Sequence, residues 1–243
     1  METKRNRYRN HHKMKTGLRS VAVIALLLVI GIIYRTYRAD LDYGPAAVSA
    51  SQESGSPQTD GDWKLILVNS KHYIPDGYQV ELTLLSNGKK VDSRIYPELQ
   101  QMFDDARAAG LSLFVREGYR TEEEQRQIMD DKLAGYEAQG YSEENAKKLA
   151  EEYVAVPGTS EHQLGLSVDI NADTNKSSSD QVYEWLDENA YKYGFIKRYS
   201  SDKTDITGIN NEPWHYRYVG KEAAEIMKRE NLCLEEYLEK YKG

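Results

Sequence analysis

One cysteine, Cys233, is all the chain offers, so no intramolecular disulfide can brace the fold. Leu232 and Leu234 flank that thiol and no histidine stands near it in sequence, which marks it as a packing residue rather than a nucleophile. Histidine is scarce too, with five in 243 residues. Basic residues are concentrated at one end. Nine of the 32 Lys/Arg and two of the 39 Asp/Glu fall within residues 1–40, so residues 41–243 carry 23 bases against 37 acids, a net charge of −14. A domain that acidic is a poor partner for phosphate backbones, and nucleic acid is excluded as a ligand class. No internal repeat is present, and 40% hydrophobic content suffices for one sizeable core, expected to act as a monomer.

The apolar run from Val21 to Tyr34 stops short of the roughly 20 residues that cross a bilayer comfortably. Arg19, Arg35 and Arg38 can snorkel from its ends, and Tyr34 and Tyr37 can sit in the interface. The expected organisation is a basic cytoplasmic tail over 1–20, a transmembrane signal-anchor over 21–37, and a flexible linker over 38–62 rich in Ser, Gly, Pro and acids. The folded domain then spans 63–243, outside the cytoplasm. A cleaved signal peptide, releasing a secreted domain, is the alternative.

Two of the three histidines beyond the tail lie in short polar segments. Residues 158–170 read Gly-Thr-Ser-Glu-His-Gln-Leu-Gly-Leu-Ser-Val-Asp-Ile, and residues 212–218 read Glu-Pro-Trp-His-Tyr-Arg-Tyr. Catalytic zinc takes three ligands from His, Asp and Glu and keeps a fourth position for water, which needs a nearby carboxylate to accept its proton. His162, Asp169 and His215 can supply the ligands, and Glu212 the base.

The pattern Ser-x-His-x-x-Gly-x-x-x-Asp followed by Glu-Pro-Trp-His resembles the zinc D-alanyl-D-alanine carboxypeptidases of the VanY type. Further blocks share the resemblance: Ile74-Pro75-Asp76, Val91 to Pro97, Gly118-Tyr119-Arg120-Thr121 with Gln125, and Ile206-Thr207-Gly208. Several ordered blocks together are more specific than one short motif. The resemblance implies zinc on His162, Asp169 and His215, Glu212 as catalytic base, and Arg120 stabilising the substrate carbonyl or its oxyanion. It also implies that Ser160 and Gln125 line the pocket for the terminal D-amino acid. Ser167 departs from the pattern, standing where many members carry Ala. Plainer readings stay open: Arg120 as a surface ion-pair residue, Ser160 as a turn or cap, Gln125 as an exposed helix residue, and Trp214 as core.

Hydrophobic spacing predicts an α+β domain, a small mainly antiparallel sheet with packed helices and the zinc site on the sheet. Strand candidates are Lys64–Asn69, Gln79–Leu85, Leu111–Val115, Leu166–Ile170 and a stretch through His215. Helices are expected from Tyr96 to Ala109, from a Thr121/Glu124 capping box, from Ser142 to about Tyr153, and from near Asp180 to Gly194. Parity in the last strand puts Arg217 on the His215 face, where it could orient a carboxylate. The same parity sets Glu212 on the opposite face unless the Glu212-Pro213 step precedes the regular strand.

The function expected is removal of the C-terminal D-alanine from peptidoglycan stem peptides, as a D,D- or L,D-carboxypeptidase. An endopeptidase or dipeptidase of related fold, or a zinc-stabilised wall-peptide binder without activity, are the alternatives.

Overall fold

A computed structural model describes residues 63–242, and the expected tail, anchor and linker over 1–62 lie outside the described residues. A 3-10 turn at Trp63–Leu65 leads to a hairpin of β1 (Leu82–Leu84) and β2 (Lys90–Asp92). Helix α1 (Tyr96–Ala108), strand β3 (Leu113–Glu117), and helices α2 (Glu122–Glu137) and α3 (Glu143–Glu151) come next. Strand β4 (Ser167–Ala172), helix α4 (Ser179–Asn189), strand β5 (Phe195–Lys197) and the one-turn helix α5 (Thr204–Thr207) follow. Strand β6 (His215–Tyr218) and helices α6 (Lys221–Glu230) and α7 (Leu234–Tyr241) complete the domain.

The main sheet runs β3–β4–β6–β5 with every neighbouring pair antiparallel. Helix α1 turns Leu99, Met102, Phe103 and Ala106 into a core shared with Val115, Val168, Ile170 and Phe195. A smaller cluster holds Ile196, Val219, Ala224, Met227 and Leu234. Strand alternation explains the division, because β5 sends Phe195 to one cluster and Ile196 to the other. Truncating a fully buried ring such as Phe103 to Ala is expected to cost about 3–5 kcal/mol.

The caps form where the sequence places them. Thr121 accepts from the Glu124 amide in a reciprocal box, and Ser142 accepts from the Asn145 amide. Two strand expectations fail or shrink. Residues 64–69 form no ladder strand, because the Arg217 guanidinium takes the Lys64 and Ile66 carbonyls that a strand partner would have used. Of Gln79–Leu85, Leu82–Leu84 alone pairs. Strand β5 was not anticipated at all.

Candidate metal centre

Asp169 and His215 are cross-strand partners in the β4–β6 ladder, so their side chains share one face of the sheet. Asp169 Oδ1 lies 3.0 Å from His215 Nδ1. His162 comes from a 3-10 turn, Glu161–Leu164, which Gly165 ends in the left-handed region at φ 72. Its Nε2 stands 3.5 Å from the same Asp169 oxygen. The two imidazoles meet edge to face, with centroids 4.9 Å apart. One donor atom from each of the three residues falls within 4.8 Å of the others. Ligands at 2.0–2.1 Å around a tetrahedral ion stand roughly 3.3 Å apart, close to the two distances measured.

Each ring's other nitrogen faces a protein acceptor, closely for His162 and at longer range for His215. His162 Nδ1 lies 2.8 Å from the Gly118 carbonyl, which leaves Nε2 for an ion. Gly118 has to be glycine, since a Cβ there would overlap the Lys90 carbonyl oxygen. His215 uses Nδ1 toward Asp169 and turns Nε2 toward the buried Glu161 carboxylate, 3.5 Å away. Burial would lift the Asp169 carboxyl, but His162 and His215 hold it well below the usual carboxylate range. Burial opposes a charge on His215, yet its contacts with Asp169 and Glu161 raise the ring to about 9. Two nitrogens and one ionised oxygen form a donor set suited to zinc, with the His162 ring oriented by the Gly118 carbonyl.

Glu212 resolves the parity difficulty. It stands in a turn before β6, with the His215 amide donating to the Glu212 carbonyl, so strand alternation does not govern it. Its Oε2 comes within 3.7 Å of His215 Nδ1. Burial, aided by the Asp169 charge, pushes its carboxyl up to about 7, where a group can both take and return a proton near neutrality.

These groups face a cavity of about 380 Å³, which Arg120, Gln125, Ser160, Tyr153 and Trp214 also line. Arg120 does pair with Glu117, its NH2 lying 3.7 Å from Oε2, but it does so from the cavity wall rather than the open surface. Its NH1 donates to Gln125 Oε1 at 2.7 Å, its backbone amide donates to the His162 carbonyl, and Nε is buried with no hydrogen-bond partner. Gln125 was open as an exposed helix residue; it is 1% exposed, with Nε2 donating to the Ala155 carbonyl at 2.6 Å. Ser160 precedes the 3-10 turn but its side chain makes no capping bond, and it too lines the cavity. Trp214, expected in the core, is half-buried at the cavity wall.

The VanY D-alanyl-D-alanine carboxypeptidase family model matches residues 88–221. A D-alanyl-D-alanine carboxypeptidase of Enterococcus faecalis is 58% identical over 191 residues, covering 79% of this chain and 70% of its own length. The chain belongs to the VanY family. Among solved members, VanYB in complex with D-alanine-D-alanine superposes with a TM-score of 0.73 at 60% identity, covering 74% of this chain and 99% of that one. A vancomycin-resistance D,D-pentapeptidase VanY variant in complex with Zn(II) superposes at 0.71 and 61% identity, covering 72% of this chain and 99% of its own. As in these VanY-family relatives, the fold is α+β.

Sequence reasoning missed three residues at this centre. Glu161 sits inside the first motif, beside a candidate ligand, and that adjacency was the available signal. Arg198 hydrogen-bonds Glu161, and the Tyr199 ring packs 4.9 Å from the His215 ring. Nothing in the sequence pattern distinguishes either from an ordinary strand-end residue.

Proposed function

We propose that the protein is a zinc-dependent carboxypeptidase that removes the C-terminal D-alanine from peptidoglycan stem peptides. The observation that carries this reading is the meeting of His162, Asp169 and His215 with the Glu212 carboxylate at one cavity. Its likeness to VanYB, a protein solved with D-alanine-D-alanine, supports the substrate class.

His162 through Nε2, His215 through Nδ1 and Asp169 through its carboxylate would hold the ion. When bound, zinc polarises the scissile carbonyl and lowers the pKa of water beside it. Glu212 takes the proton of the attacking water and returns it to the departing amino group. Arg120, steadied by Gln125, offers its buried Nε–H and remaining guanidinium protons to the oxyanion that develops on the carbonyl. Ser160 lies where the terminal residue of the substrate would lodge. Tyr153 and Trp214 complete the cavity wall beside these groups.

Mass spectrometry of synthetic tetra- and pentapeptide stems incubated with the zinc-loaded protein tests this. Release of a single C-terminal D-alanine is expected, and the substrate consumed distinguishes D,D- from L,D-cleavage. Intact stems after prolonged incubation would overturn the reading.

We also infer a membrane-tethered monomer, its basic tail inside the cell and its domain outside, from the apolar segment over 21–37 and its flanking arginines. Recovery in the membrane fraction, with the domain open to external protease, is expected. Release of a chain lacking residues 1–37 would identify a cleaved signal instead.

A further inference from the structure

Behind His215 lies a buried chain of charges that the catalytic reading does not use. Glu161 is 2% exposed, and every part of its carboxylate is engaged. Oε1 accepts from Arg198 Nε at 2.8 Å and from Arg217 NH1 at 3.0 Å. Oε2 accepts from the Ser167 hydroxyl at 3.1 Å and is 3.5 Å from His215 Nε2, a buried nitrogen with no hydrogen-bond partner of its own. The chain continues outward. Arg198 grips Glu235 of α7 with both terminal nitrogens, at 2.9 and 2.7 Å, and Asn69 donates to Glu235 Oε1 at 3.0 Å. Arg217 in turn binds the Lys64 and Ile66 carbonyls.

A fully buried ion cluster is a poor stabiliser, because desolvating the charges offsets most of their attraction. Well-packed apolar side chains would serve a purely structural role at least as well. What apolar residues cannot do is aim an imidazole. A carboxylate behind a metal-binding histidine fixes its tautomer and its tilt. Here the arrangement leaves Nδ1 free of a proton on the cavity side only when Nε2 carries one, and Glu161 is the acceptor that faces Nε2. Asn69, Lys64, Ile66 and Glu235 all lie outside the stretch matched by the family model. Both ends of the domain therefore reach the histidine through the two arginines.

We propose that Glu161 is a positioning residue for His215 and that the Arg198–Glu235 link makes zinc affinity depend on helix α7. This deepens the zinc reading above and rests on it. The test is zinc affinity of the full chain, measured by competition with a chromophoric chelator, beside the visible spectrum of the cobalt(II)-substituted protein. For Glu161→Gln, a 10- to 100-fold weaker affinity and a shifted cobalt band are expected, the usual loss when such a partner is removed. Glu235→Gln should weaken zinc in the same direction by a smaller factor. Glu236→Gln should leave it unchanged, since Glu236 caps the same helix and pairs with Lys203 but does not touch the chain of charges.

If Glu161→Gln does not fold, Glu161→Asp carries the test, keeping the charge while withdrawing it from His215. Folded variants, judged by near-ultraviolet circular dichroism, that bind zinc as tightly as the unaltered protein with the same cobalt spectrum would overturn the proposal. Failure of the unaltered protein to bind zinc would instead overturn the reading beneath it.

Discussion

Asp169 and His215 stand opposite one another in the β4–β6 ladder, and the carboxylate meets the imidazole Nδ1 at 3.0 Å. Neighbouring strands thus bring two of the three candidate donors together by register. Asp169→Ala should abolish stoichiometric zinc and activity while leaving the sheet intact, because the side chain leaves the ladder's backbone bonds untouched. Metal analysis of the purified variant checks this, and retained zinc would exclude Asp169 as a ligand.

Glu212 lies outside the donor set, so Glu212→Gln should separate binding from turnover. Zinc content is expected to stay at one per chain while kcat falls by about 10²- to 10⁴-fold, the usual scale for a positioned acid or base. Undiminished release of D-alanine would remove Glu212 from the mechanism.

Arg120→Ala should lower kcat by roughly 10²- to 10³-fold with little change in zinc affinity, in line with loss of one oxyanion donor. Gln125→Ala should lower kcat less, since it loosens the guanidinium without deleting it. Steady-state kinetics with zinc titrations decide both, and an Arg120→Ala rate equal to that of the unaltered protein would demote the arginine to a structural part.

Acid should expose the Glu235 link. Burial pushes that carboxyl up, but Arg198 and Asn69 outweigh it and hold it below the ordinary range. A depressed folded pKa gives stability that is present above the unfolded value of about 4.3 and is lost as pH falls through the folded one. At neutral pH, Glu235→Gln is expected to destabilise on the order of 3 kcal/mol by leaving a buried arginine underpaired. The gap in melting temperature between the two proteins should narrow as pH falls below about 4.3, and a gap that does not narrow on acidification would contradict the ion-pair account.

Gly118→Ala should be costly for a residue that bears no chemistry. The added methyl meets the Lys90 carbonyl, which already accepts from the Tyr119 amide, and the Gly118 carbonyl would be drawn off His162. Reduced melting temperature and weakened zinc binding are expected together.

Much of the site was legible because chemistry of this kind needs rare residues in short runs. With two histidines in the folded stretch inside motifs that also hold acids, His162, Asp169, His215 and Glu212 stood out before any coordinates. Caps were legible for a similar reason: Thr121 and Ser142 act within three residues of themselves. Burial set by distant partners was not. Gln125 looks solvated from its own helix, and what buries it are Arg120 and the Ala155 carbonyl. Residues 64–69 look like a strand, and a guanidinium 151 positions away from Ile66 in sequence takes the carbonyl. Parity does not apply at Glu212 because a turn ahead of β6 carries it, the exception that Pro213 allowed.

The Gln125 amide spans two masters, the Arg120 guanidinium on one side and the Ala155 carbonyl on the other. Tyr153, Val154 and Ala155 also line the cavity. Remodelling that loop to admit a bulkier peptide end would tug the same amide and shift the arginine with it. Substitutions at residues 153–155 made to alter peptide selectivity are therefore expected to alter the rate as well, through Gln125 and Arg120.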